Sequence, residues 1–157
     1  MKISGTTALM LAAGAAIVVV VGGGYMSAFY SKPDGNMNSN NAVLVADGET
    51  VYNKSCAKCH GVDLKGKPNW QQRKPDGTLP PPPQDETGHS WHHPDKMLFD
   101  VVKLGGQAVA PPGFKSAMPA FADKLSDKQI WAALSYIKSR WPKVIRIRQE
   151  RINKQAG

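Results

Sequence analysis

Cysteine is scarce: the chain of 157 residues holds only Cys56 and Cys59. Two cysteines cannot build the disulfide framework that staples small secreted folds. Together with only four histidines they cannot fill several structural zinc sites. Charge is absent from residues 3–31, a run of 29 positions. Arginine is nearly absent from residues 31–137, where Arg73 stands beside eleven lysines and eleven acids, so this body is close to neutral at +1. Acid is nearly absent from residues 138–157, where Glu150 opposes seven bases and the net charge is +6. The formal charge of +8 therefore belongs mainly to the last 20 residues. Basic chains gain affinity for nucleic acid by neutralising phosphates, but a neutral body does not point to a nucleic-acid-binding fold. The basic tail reads either as a solvated end or as a contact surface for anionic lipid or an acidic partner. What is present in ordinary amounts is apolar and charged residues, at 41% and 20%. That composition excludes a wholly disordered or fibrous chain, and the length suits one domain.

The uncharged start has an apolar centre at residues 8–21. A membrane-spanning helix needs about 20 apolar residues, whereas a cleavable signal has an apolar core of roughly 7–15 followed by a small-x-small site. Met26-Ser27-Ala28 puts a bulky side chain where a small one is wanted, although Gly22, Gly23 and Gly24 offer another exit. Residues 1–30 read better as an uncleaved N-terminal transmembrane helix than as a signal peptide. Lys2 favours an inward amino terminus, which sends the rest outward. With no cysteine nearby, lipoprotein attachment is excluded. Residues 31–42 are rich in Asn, Gly and Pro and read as a flexible linker. The folded part spans residues 43–142, with a basic C-terminal tail at 143–157. About 100 residues make a small core for a chain without disulfides, so something other than side chains is expected to help fill it.

Both cysteines fall in Cys56-Ala57-Lys58-Cys59-His60. Cys-x-x-Cys-His is the attachment signature of c-type haem. Two thiols add to the two porphyrin vinyl groups, and the adjacent histidine is carried beneath the ring to ligate iron. A thioredoxin-like redox pair would follow a strand, but the residues before Cys56 look helical. A zinc site lacks further cysteines, and His60 is cramped directly beside Cys59. The second axial ligand is sought among Met97, Met118, His89, His92 and His93. Met97 lies on a short helix that starts near Pro94 and ends at Gly105, and with Leu98, Val101, Val102 and Leu104 it is expected in the core. Met118 lies among prolines and glycine that oppose helix, and a loop can lay a thioether against a haem face. Met118 is therefore the preferred ligand.

At this point the chain resembles the class I c-type cytochromes over most of residues 43–142. A first helix with Gly48 and Tyr52 leads into the haem motif, and a loop carries Ser116-Ala117-Met118-Pro119. A last helix follows from Ser126, with Gln129 placed for a capping box and Ile130, Ala133, Leu134, Ile137 and Trp141 at helical spacing. The resemblance implies an all-α fold, a small helical bundle around one covalent haem c. It implies a crossing of first and last helices at Gly48, against the Tyr136–Ile137 region. It also implies a proline carbonyl on the outer nitrogen of His60, a position that Pro68 looks to fill. The implied cofactor-binding residues are thus Cys56, Cys59, His60, Met118 and Pro68, with His60 and Met118 on the iron. A Pro-rich insert at 70–94 departs from the simplest family pattern. Residues 80–83 are four consecutive prolines, which force an extended conformation able to wrap the haem edge or present a docking face. His89, His92 and His93 could form a copper site; otherwise Trp91 packs on the domain and the histidines lead into the next helix.

Iron held by His60 and Met118 leaves no open position, which favours electron transfer over catalysis. The expected function is a non-enzymatic, monohaem carrier tethered to the bacterial inner membrane. Its haem domain would lie in the periplasm, moving single electrons between a respiratory donor protein and an acceptor protein. Lys54, Lys58, Lys65, Lys67 and Lys115 could ring the haem edge and steer an acidic partner. A dedicated cytochrome subunit of an oxidoreductase or terminal oxidase is the alternative, since a free carrier needs neither the insert nor the tail. A haem-based sensor is a lesser one. The anchor is tested by extracting membranes at high pH: an integral span keeps the protein in the pellet, and release to the supernatant counts against it.

Overall fold

The structure, a computed structural model, describes residues 35–156. The anchor expected over residues 1–30 and the first part of the expected linker lie outside the described residues. Among the described residues no helix is long and apolar enough to cross a membrane.

The described elements are helices: α1 at Ala42–Ser55, a single turn α2 at Ala57–His60, a 3-10 turn at Ser90–His92, α3 at Asp95–Leu104, α4 at Asp127–Arg140 and α5 at Lys143–Ala156. Asn41 starts α1, its side chain accepting the Leu44 N–H at 3.0 Å. Ser126 starts α4 with the expected capping box, since its hydroxyl meets the Gln129 N–H and Gln129 Oε1 accepts the Ser126 N–H at 2.9 Å. A glycine inside a helix costs about 1 kcal/mol relative to alanine, so Gly48 needs a reason. A methyl group there would lie 2.0 Å from the Ala132 carbonyl oxygen and 3.0 Å from Tyr136 Cβ. α1 and α4 therefore cross backbone to backbone at Gly48. The contact includes Tyr136, in the expected Tyr136–Ile137 region, and is closest one turn earlier, at Ala132.

Buried residues run without a break from Ile130 to Lys138 of α4, beyond the single apolar stripe that its sequence period marks. The cause is that α4 has neighbours on several sides. α1 lies on one. Phe99 of α3 stacks on Trp131 with ring centroids 4.4 Å apart. The residues before α1 cover a third, where Ser135 Oγ accepts the Asn38 N–H at 2.9 Å. The linker expected over residues 31–42 is thus docked from Met37 onward. Met37 is buried, and its N–H donates to Asp95 Oδ2 at 2.9 Å.

Two further expectations change. Met97 is 39% exposed and Leu104 51% exposed, so neither lies in the core. Leu98 and Val102 pack against the core as expected, and α3 buries Asp95 and Phe99, which are four residues apart and so share a face. The basic tail is also not a loose end. Pro142 stops α4 as expected, but its carbonyl accepts the N–H groups of Ile145 and Arg146, so it starts α5 as well. Gln149 of α5 is fully buried and donates to Asp95 Oδ1 at 2.6 Å and to the His93 carbonyl at 3.2 Å. Asn153 Oδ1 accepts the Asp95 N–H at 2.9 Å, capping α3. Trp91 packs on the domain, under the Arg148 guanidinium at 4.9 Å.

Replacing Gly48 with alanine should destabilise the folded protein by at least ~2 kcal/mol, because overpacking against a rigid backbone has no flexible side chain to yield. A denaturant titration of the haem-loaded protein measures it; an unchanged midpoint would mean the helices do not meet there.

Candidate functional site: the Cys56–His60 turn

The site begins where α1 ends. Cys56 closes α1, its N–H donating to the Tyr52 carbonyl at 2.8 Å. Its own carbonyl then accepts the N–H groups of Cys59 and His60, both at 3.0 Å. One helical turn results, and positions i, i+3 and i+4 of a turn share a face. Cys56, Cys59 and His60 are those positions. Gly61 ends the turn at φ 82, in the left-handed region that glycine tolerates. The buried Tyr52 hydroxyl donates to the Gly61 carbonyl at 2.8 Å, tying the end of the turn back to α1.

Neither cysteine is in a disulfide; Cys56 is half-buried and Cys59 exposed. Burial, with a smaller contribution from Cys59, pushes the Cys56 thiol up to about 11. Burial also lowers the pKa of the His60 imidazole, against an opposing pull from the Pro82 carbonyl. The ring is thereby kept neutral, the form that can ligate a metal.

His60 Nδ1 lies 2.8 Å from the Pro82 carbonyl oxygen. This corrects the assignment of Pro68, which is exposed and makes no such contact. The geometry of the loop explains the change. The Gly66 N–H donates to the His60 carbonyl at 2.8 Å and the Lys67 N–H to the Pro81 carbonyl at 2.9 Å. Gly66 has φ 67, and a Cβ there would sit 2.5 Å from Pro82 and Pro83 backbone atoms. The proline run therefore passes directly over the loop after His60. Prolines lack an N–H, so a run of them offers only carbonyl acceptors, and the imidazole takes one. Spacing alone could not tell which proline returns to the histidine, because the chain leaves and comes back between Pro68 and Pro82. With Nδ1 engaged, Nε2 is the nitrogen left for a metal.

Met118 is half-buried on an irregular loop fastened to the end of α3. The Gly106 N–H donates to its carbonyl at 3.0 Å, and its own N–H donates to Ser116 Oγ at 3.2 Å. Just before that loop, Met97, Val101 and Leu104 recur at i, i+4 and i+7, leaving an apolar stripe that protein atoms only partly cover. Surface of that kind suits an apolar macrocycle. The donor set and this stripe fit a covalently bound porphyrin.

The histidines of the insert are used otherwise. His89 stacks on Trp70 with centroids 5.6 Å apart, and His93 meets the edge of His89 at the same separation. His92 packs against Trp91 at 3.7 Å. Burial first, then neighbouring imidazoles, lowers the pKa of His89 and of His93. Among the described residues no three His, Cys, Asp or Glu side chains are placed to hold a metal ion, so the copper reading is not carried. Lys54, Lys58, Lys65, Lys67 and Lys115 are all exposed. A cleft of about 460 Å³, lined in part by Val51, Lys54, Phe121 and Lys124, opens beside the end of α1. Lys124 was not singled out from sequence, and an isolated lysine in a loop carries no signal that could have done so.

A one-turn helix presenting two thiols and a carbonyl-anchored imidazole defines a protein built for covalent haem. The profile of the cytochrome c family matches residues 45–141, and the chain belongs to that family. Membership brings a covalently attached haem c with its iron, for which Cys56 and Cys59 are the fitting attachment points. It also brings haem-based electron transfer in the general sense, the role of a carrier rather than a catalyst. No curated protein and no solved structure matches the chain at a significant level.

Tyr52→Phe should cost about 1–1.5 kcal/mol near neutral pH by removing the hydroxyl from Gly61. Burial raises the Tyr52 pKa in the folded protein, so this contribution is full below the unfolded value of about 10 and fades as pH rises above it. Unfolding titrations of both proteins at pH 7 and in strong alkali measure the narrowing gap; a constant gap would mean that Tyr52 ionises equally in both states.

Proposed function

We propose that this cytochrome is a single-electron carrier with His60 and Met118 as axial ligands, tethered to the bacterial inner membrane with its haem domain in the periplasm. The observation that carries the ligand reading is the Pro82 contact, which commits Nδ1 of His60 and leaves Nε2 for iron. Haem iron supplies the one-electron couple. His60 is held in one orientation from both sides of its turn. The Met118 thioether is a soft ligand, which favours the ferrous state and a higher potential. Six-coordination leaves substrate no place to bind, so the residues serve transfer alone.

The exposed lysines offer an acidic redox protein a weak field to approach. α5 adds a second surface. Lys143, Arg151 and Lys154 fall on its outer side with Val144 and Ile147, which are 71% and 42% exposed. Basic residues interleaved with apolar ones suit anionic lipid headgroups or an acidic protein. The uncharged run at residues 3–31 supports the tether. A second reading, a dedicated cytochrome subunit of an oxidoreductase or terminal oxidase, is favoured by this added helix, since a freely diffusing carrier does not need one.

The oxidised protein should show the weak sulfur-to-iron band at the red edge of its spectrum, and Met118→Ala should abolish it while the haem stays covalently bound. Survival of the band would assign the second axial position to another side chain.

A further inference from the structure

Gln84 stands beside the ligand histidine, and its main chain is fixed from two directions. Its N–H donates to the Leu64 carbonyl at 2.7 Å, and its carbonyl accepts the Trp141 indole N–H at 2.8 Å. The side-chain amide then has little freedom. One end meets Ser90 Oγ at 2.8 Å, and the other meets His60 Nδ1 at 3.1 Å. With Oε1 on Ser90, the end facing His60 is the NH₂ group.

That arrangement conflicts with the neighbouring contact. The Pro82 carbonyl, 2.8 Å from Nδ1, has no proton to give. Nδ1 must therefore carry the proton, and Nε2 must be bare, as iron ligation also requires. A protonated Nδ1 cannot accept from an amide NH₂, so two donors would face each other. Amide oxygen and nitrogen are assigned from hydrogen-bonding partners, not from shape. Turning the amide by half a revolution removes the conflict at no loss. Oε1 then accepts from Nδ1–H, and Nε2–H donates to Ser90, whose hydroxyl accepts as readily as it donates.

We propose that Gln84 is a second acceptor for the His60 Nδ1 proton, sharing it with Pro82, and that it shifts the haem couple toward the ferric state. The inference rests on His60 being the iron ligand. An added acceptor draws the Nδ1 proton outward and makes the imidazole a stronger donor to iron. A stronger donor stabilises the more highly charged metal. Gln84 is a positioning residue, acting through His60, and it opposes the ferrous preference that Met118 confers. Two adjacent contacts of the same segment thus set the orientation and the basicity of one ligand.

The test is a potentiometric titration of the full-length haem-loaded protein and its Gln84→Leu and Gln84→Glu variants, with spectra recorded alongside. Gln84→Leu removes the acceptor and should favour reduction by roughly three- to tenfold, tenfold being 59 mV for one electron. Gln84→Glu puts a full negative charge at the same place and should move the couple the opposite way. Ser90→Ala leaves the acceptor and should move it less than Gln84→Leu. A purely structural role would loosen the histidine in both Gln84 variants and shift them in the same direction. Shifts of one sign, or a Gln84→Leu change below about twofold, would overturn the proposal. If Gln84→Glu does not fold, Gln84→Met, which keeps the side-chain volume and lacks the acceptor, replaces it: a shift toward the ferrous state matching Gln84→Leu supports the acceptor role, and an unchanged couple overturns it. A parent spectrum lacking histidine ligation would instead overturn the functional reading, before any potential is compared.

Discussion

The close approach of α1 and α4 at Gly48 sets the position of almost everything that matters to the haem turn. α1 cannot slide along α4, because the Ala132 carbonyl and Tyr136 Cβ occupy the space a side chain would need. The end of α1 is therefore fixed, and Cys56 begins its turn from there. The end of α4 is fixed by the same contact. Trp141 follows it and donates to the Gln84 carbonyl, which holds the segment carrying Pro82 against His60. Both supports of His60, the turn below it and the proline segment beside it, hang from one crossing. A position that costs helix propensity thus secures the geometry of His60.

Much of this was legible in the sequence because the chemistry is local. Two thiols and a histidine within five residues define their own turn. A serine and a glutamine three apart define a helix start, and both behaved as expected. What was not legible depends on how distant segments meet. Pro68 and Pro82 are equally plausible acceptors until the path of the loop between them is known. Gly66, where a side chain would collide with Pro82 and Pro83, lets the proline run pass over the loop after His60. Met97 looked apolar and central, but its face of α3 is not the one turned to Trp131. Hydropathy marks a residue that avoids water without naming what covers it, and along this stripe the protein covers it only in part.

The charge distribution needs the same correction. Composition alone presents α5 as a basic tail, because its buried contacts are made by uncharged residues. Gln149 and Asn153 do the joining, and neither draws attention in a hydropathy pattern. The bases are therefore displayed on a rigid support. A fixed array of charges meets a surface with less ordering cost than a flexible one. Lys138, buried and paired with Glu150 at 3.8 Å, shows that not every base of this region is free to serve as display.

Asp95 receives both ends of the described chain. Met37 reaches one carboxylate oxygen from the amino-terminal side, and Gln149 reaches the other from the carboxyl-terminal side. Entry and exit points of the folded body are consequently neighbours. A pull on either end of the described chain would load this carboxylate and the start of α3. Cys56 and His60 lie on a different path through the fold, hung from the α1–α4 crossing. The contacts that hold the cofactor turn, from Tyr52 to Gly61 and from His60 to Pro82, do not pass through this carboxylate, so the junction of the chain ends and the haem turn are separately secured.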